Sequence, residues 1–271
     1  MKTKINALFL ILLSAVLFSS CRTYLTPAVL GNNMGYIPRA MGADSLKTLT
    51  SVSASYAGAS APDSKVSFEL AMANVNLSHT FEKGNIAFGI FGYTGKASNN
   101  VQNNAVDNSG DYLPAFKKSI TGVGLRFSAG LHHTSANGNT DFRFINFENA
   151  ISFEGGDYTA FRKEIYNNRI PNYVAVTDRK VLWTTGLSTE VIWRARNDHG
   201  IKHGFRLFLG GTPGLADSFK YGLNADDYAR KGNSFGFIFN YSLSVNRFFL
   251  AYEVGSNLNS AQKISLGYSF Q

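Results

Sequence analysis

From residue 46 onward, apolar and polar side chains alternate with a step of two in runs that recur about ten times, as in strands with one apolar and one polar face. The runs lie near 46–57, 66–81, 86–96, 119–131, 142–153, 181–194, 201–211, 234–245, 248–255 and 263–270. In the sixth, Val181, Trp183, Leu187, Val191 and Trp193 share one parity, and Thr184, Gly186, Ser188, Glu190 and Arg194 share the other. In the eighth, Phe235, Phe237, Phe239, Tyr241, Leu243 and Val245 oppose Gly236, Asn240, Ser242 and Ser244. The last sets Ile264, Leu266, Tyr268 and Phe270 against Ser265, Gly267 and Ser269. The second is less regular: Val66, Phe68, Leu70 and Met72 keep one parity while Val75 and Leu77 keep the other, which predicts a bulge near Ala73-Asn74.

The connections alternate in length. Turn chemistry falls at Glu82 to Asn85, at Thr134 to Asp141 with its Asn137-Gly138, at Asn197 to Gly200 and at Asn246-Arg247. Longer connections fall at Gly58 to Lys65, Ala97 to Lys118, Glu154 to Lys180, Thr212 to Asn233 and Ser256 to Gln262. The fold this predicts is all-β: a closed antiparallel up-and-down transmembrane β-barrel of about ten strands, with eight to twelve compatible with the runs. Tight turns then lie on the inner side of the membrane and long loops outside.

Parity also says which face meets lipid. A barrel of roughly ten strands encloses a lumen too narrow for stacked rings, whereas Gly, Ser and Asn fit there, so the aromatic faces should point outward. Trp183 and Trp193 are ten residues apart, roughly 33 Å along a strand and about 25 Å in projection at a tilt of ~40°, the height of a lipid-facing band. These two, with Tyr241, Tyr268 and Phe270, are the expected membrane-interface aromatics. The same parity sends Glu69, Arg126, Glu148, Glu190, Arg206 and Glu253 into the lumen near mid-height as a network of opposite charges. Such a network reads as a structural filling of the lumen; a selective pore or a proton-active carboxylate pair is the alternative.

Composition sharpens the membrane reading. Only 16% of residues are charged, with 26 Gly and 14% aromatics, against about 25% charged in an ordinary soluble domain. No run of ~20 apolar residues follows the N-terminal segment, so spanning requires a closed barrel rather than helices. The formal charge of +8 becomes +6 once Lys2 and Lys4 of the N-terminal segment are removed, and no basic run of the nucleic-acid type exists.

That N-terminal segment reads as an export signal, with Lys2 and Lys4 ahead of the apolar stretch Ala7 to Phe18. It ends in Leu17-Phe18-Ser19-Ser20-Cys21, which resembles a bacterial lipobox, although Phe18 stands where Leu is usual. The resemblance implies lipidation at Cys21, the only cysteine, so no disulfide can form within the chain. The expected organisation is a signal peptide over 1–20, a periplasmic leader over 21–45 and the barrel over 46–271.

All five histidines, His79, His132, His133, His199 and His203, fall at the inner ends of strands. His132 and His133 must point to opposite faces and cannot easily share a metal ion, and no metal or other cofactor is expected. Outer-membrane proteases of ten strands and acyltransferase barrels use a histidine at the outer rim, where none is expected here, so an enzyme is disfavoured. Tyr158 to Asn168 can form a short amphipathic helix that caps the mouth or docks a partner, and Lys220 to Lys231 and Asn99 to Asn108 read as polar loops.

A lipobox-like start, a leader containing Pro27 and Pro38, repeated amphipathic strands and an end at Phe270-Gln271 together resemble the lipid-anchored outer-membrane β-barrel proteins of Bacteroidota. The resemblance spans the chain but is architectural. It implies a non-enzymatic structural or accessory subunit of an envelope complex for secretion, assembly or uptake, with outer-membrane lipid and a protein as partners. Arg22-Thr23-Tyr24 stands where surface lipoproteins of that group carry an acidic export signal, which implies an anchor in the inner leaflet. A small porin-like channel is the first alternative and an outer-membrane enzyme the second.

Overall fold

The computed structural model describes residues 23–28, 34–62, 65–99, 113, 115–196, 200–223 and 235–270. The signal segment, Cys21, His199 and most of the polar loops at 100–112 and 224–234 lie outside the described residues. The elements are β1 (Thr23–Leu25), β2 (Thr48–Ser60), β3 (Val66–Thr80), β4 (Gly84–Asn99), β5 (Phe116–Thr134), β6 (Thr140–Gly155), α1 (Asp157–Asn167), β7 (Val174–Val176), β8 (Val181–Arg194), β9 (Ile201–Gly211), β10 (Lys220–Tyr221), β11 (Phe235–Val245), β12 (Phe248–Asn257) and β13 (Asn259–Phe270).

Ten of these strands close into one antiparallel barrel in which β2 follows β13 around the wall and chain neighbours pair throughout. Closure removes the open sheet edge, which hydrocarbon could not hydrogen-bond. The expected strands are all present. The expected long connection over 256–262 is not, because β12 and β13 pair as far as Asn257 and Asn259 around Leu258, whose φ is 66°. β3 holds one register along its whole length against β2 and β4, so the bulge expected at Ala73-Asn74 is absent. Register shifts occur instead between Leu131 and His133 and between Arg143 and Asn146. The second puts Phe144 and Ile145 side by side on the outer face while Arg143 and Asn146 both turn inward.

The exterior is apolar around the wall. Phe88, Leu125, Phe147, Leu187, Phe237 and Leu266 are all 45% exposed or more, a continuous surface of a kind that water-facing proteins avoid and a bilayer covers.

The interior divides in two. At the turn end it is polar, as the parity argument requires. At the loop end Phe68, Phe91, Tyr93, Phe116 and Ile120 face inward and are buried, contrary to the expectation that rings cannot fit. They fit because small residues sit beside them: the Tyr93 ring lies where a side chain at Gly122 on the neighbouring strand would stand. They stay dry because α1 closes over them. Tyr158 of α1 stacks on Phe116 at 5.7 Å and meets the edge of Phe68 at 5.8 Å, while Arg162 bonds Glu154 and the Thr177 carbonyl.

The described residues of the expected leader, 23–28 and 34–45, pack against the barrel. β1 pairs in parallel with β7, and β7 pairs with β10, so a three-stranded sheet forms among the long loops. Thr26 donates to Asn259 at 2.9 Å, and the Ala28 N–H donates to Glu154 at 2.7 Å, both at the loop end of the wall. Further along, Ser78 donates to the Pro38 carbonyl at 2.9 Å and Thr80 to that of Ala40 at 2.8 Å. Asp44 then reaches Arg194 (2.5 Å) and Lys202 (2.8 Å) at the turn end. Residues 23–28 thus lie at the loop end, and residues 34–45 fill the lumen toward the turn end, where β2 begins.

Candidate functional site in the lumen

The ionic groups form a rung rather than a patch. Cross-strand register places Lys263, Glu253, Asn240, Arg206, Glu190 and Arg143 directly opposite one another in sequence across six neighbouring strands, all with side chains inward. Lys263 meets Glu253 at 2.5 Å, and Arg143 meets Glu190 at 2.7 Å. Arg206 takes the carboxylate of Glu148 at 2.5 Å, and Ser188 also donates to Glu148. Arg143 further contacts Asp141 at 3.4 Å, whose other oxygen is 2.8 Å from His132. Each carboxylate is at most a few per cent exposed, so the pairing offsets a desolvation cost that a lone buried charge could not bear.

The threaded segment completes this network. The Tyr36 N–H donates to Glu253 at 2.5 Å, and Gly35 lies so close to the Glu253–Lys263 pair that any side chain there would collide with it. Arg39 lies 3.5 Å from Glu190 and donates to Ser128 at 2.7 Å, and Arg143 donates to the Ala40 carbonyl at 3.0 Å. Arg126 donates through Nε to Asn76 at 2.9 Å and reaches the carbonyls of Gly35 and Tyr36. Beneath the segment, a cavity of about 170 Å³ lined by Tyr36, Arg39, Lys202, Ser242 and Arg247 faces the turn end.

Five of the six residues expected in the lumen, Arg126, Glu148, Glu190, Arg206 and Glu253, come together there. Glu69 does not: it faces outward at the loop end, pairs with Lys96 at 2.8 Å and is about half exposed. Without the expected bulge β3 keeps one parity, and at this height the inward positions are Phe68 and Leu70. The parity reading missed Arg39, Arg143 and Lys263. Lys263 shares its parity with Ser265 and stands opposite Glu253, so pairing adjacent strands could have found it; Arg143 is turned inward by the register shift, and Arg39 lies where no strand pattern exists.

The expected interface aromatics face outward at the two ends of the wall. Trp183, 50% exposed, lies near the loop end and donates to Asn149 at 3.1 Å. Trp193 lies near the turn end, stacked on His203 and Phe205, and Tyr241 bonds His203 at 2.8 Å. Tyr268 packs against Phe248 and Phe270 at the same end. His132 is buried and His133 is exposed, on opposite faces. Among the described residues no three His, Cys, Asp or Glu side chains are placed to hold a metal.

No protein-family model matches the chain, and no curated protein does. Solved outer-membrane barrels resemble it at low identity. The translocator domain of autotransporter NalP from Neisseria meningitidis is 8% identical over 84% of this chain and 90% of its own, with a TM-score of 0.43. The transport unit of autotransporter AIDA-I from Escherichia coli is 13% identical over 89% and 96%, with a TM-score of 0.40. Outer membrane protein OprG from Pseudomonas aeruginosa is 8% identical over 86% and 100%, with a TM-score of 0.39.

Proposed function

We propose that the protein is a small porin-like barrel of the bacterial outer membrane, held closed at rest by residues 34–45 in the turn-end half of its lumen and by β1, β7 and α1 in the loop-end half. The observation that carries this reading is the division of labour in the turn-end lumen. The wall there is made of Ser, Asn, Glu, Arg and Lys, groups that water can solvate, and its partners come in part from a separate segment that is not woven into the wall. Several of the wall's buried polar atoms, among them Arg143 Nε, Arg206 Nη1 and Glu190 Oε1, have no hydrogen-bond partner among the described residues, so the wall retains capacity that a hydrated path would use. Export signal, closed barrel, apolar belt and inward polarity support the outer membrane as its location.

Replacing both residues 34–45 and α1 (Asp157–Asn167) by Gly/Ser stretches of equal length tests the proposal in planar bilayers. The wild type should stay closed and the replacement should show discrete openings. Without the segment, Arg126, Arg143, Arg194, Lys202, Arg206 and Lys263 outnumber Asp141, Glu148, Glu190 and Glu253 along the wall, so the reversal potential in a KCl gradient should shift toward chloride. A replacement that folds, by its heat-modifiable gel mobility, yet never conducts overturns the channel. The density of paired ionic groups in the lumen favours the second reading, a non-conducting accessory subunit of an envelope complex that acts through its outer face or loops, and that result would leave it standing.

A further inference from the structure

We infer that the lumen carries the N-terminal segment across the membrane, so that the chain's start is presented on the loop-bearing face and a lipid on Cys21 inserts into the leaflet on that side. This rests on the proposed membrane setting but not on whether the lumen conducts. Three contacts fix the placement independently of any ionic group: the β1–β7 pairing, the Thr23 N–H bonded to the Tyr173 carbonyl at 2.8 Å, and the Tyr158 hydroxyl bonded to the Thr26 carbonyl at 3.0 Å. β7 and Tyr158 both belong to the connection between β6 and β8, which crosses the mouth at the loop end. Tyr24 and Leu25 are buried in the apolar cluster under α1, with Tyr24 edge-on to Phe219 at 6.3 Å, so the entry is packed and not merely passing. Two residues of extended chain reach at most ~7 Å, whereas the opposite interface of an apolar band is about 25 Å away. Cys21 is two positions before Thr23, so its acyl chains belong to the loop side.

The test compares three epitope insertions in the full chain: one before Thr23, one at Leu223 in the loop after β10, and one at Ala136 in the turn between β5 and β6. Antibody is applied to intact and to permeabilised cells, and gel mobility confirms folding. The N-terminal tag should be labelled on intact cells together with the Leu223 tag, and the Ala136 tag only after permeabilisation. An N-terminal tag that groups with Ala136 overturns the threading. Should Ala136 alone be labelled on intact cells, the membrane orientation assumed above fails while the threading survives. Because an insertion can disturb β1, the pair Leu25→Cys with Val176→Cys in a Cys21→Ser background gives a second reading: a disulfide formed on oxidation of the folded barrel supports the route, and its absence overturns it. Palmitate incorporation lost in Cys21→Ala supports the anchor, and absence of label in the wild type removes the lipid part alone.

Discussion

The two halves of the lumen are built by the same strands and differ as an oily core differs from an ionic lattice. β3 shows both: Val66, Phe68, Leu70 and Met72 turn inward at the loop end, and Asn74, Asn76, Ser78 and Thr80 turn inward at the turn end, without any break in register. The difference follows from what fills each half. At the loop end α1, β1 and β7 bring their own apolar side chains, so the wall excludes water as a soluble core does. At the turn end the filler is a single extended segment whose main-chain groups and Arg39 need partners, so the wall supplies hydroxyls, amides and carboxylates. The polarity of a barrel's inner face is therefore local, set by its occupant at each height.

The largest expected effect lies in the ionic half. Glu148→Ala leaves Arg206, 3% exposed, without its carboxylate, and removing one partner of a buried pair costs about 3–5 kcal/mol. Urea titration of the bilayer-refolded barrel measures it, and the double variant Glu148→Leu with Arg206→Met should recover much of the loss. A single-variant cost no greater than that of a surface pair would erase the distinction between the halves.

A smaller effect is expected in the oily half. Ile120 is fully buried, so Ile120→Val should cost about 0.5–1.5 kcal/mol by removing one methylene from a packed site. Measured at low and high salt, the value should not move, whereas substitutions at the exposed Glu69–Lys96 pair should respond to salt.

This contrast also explains what could be read in advance. The ten wall strands and their outer faces follow from the step-two pattern, because the lipid side demands apolar residues at every height, and the alternation in β8 and β11 is nearly unbroken. The inner face carries no such uniform demand. Where the filler is apolar, both faces of a strand become apolar or small, and parity no longer says which is which; β3 reads as a slipped strand for this reason alone. The filler is harder still to foresee, since residues 34–45 have no repeating pattern and owe their place to tertiary contacts at Gly35, Tyr36, Arg39 and Asp44.

Glu69 supplies the finest test, because parity assigned it to the same network as Glu148 and the fold sends it to the other side of the wall. Its side chain is 48% exposed and that of Lys96 is 38% exposed. A pair so placed gains little from charge attraction and spends side-chain entropy, leaving roughly 0.2–1 kcal/mol. Crossing Glu69→Gln with Lys96→Met in a double-mutant cycle should return a coupling within that range at low salt and close to zero at high salt. A coupling of several kcal/mol that ignores salt would mean that Glu69 is enclosed, that β3 does slip between Met72 and Asn74, and that the oily half of the lumen is assigned to the wrong face of its strand.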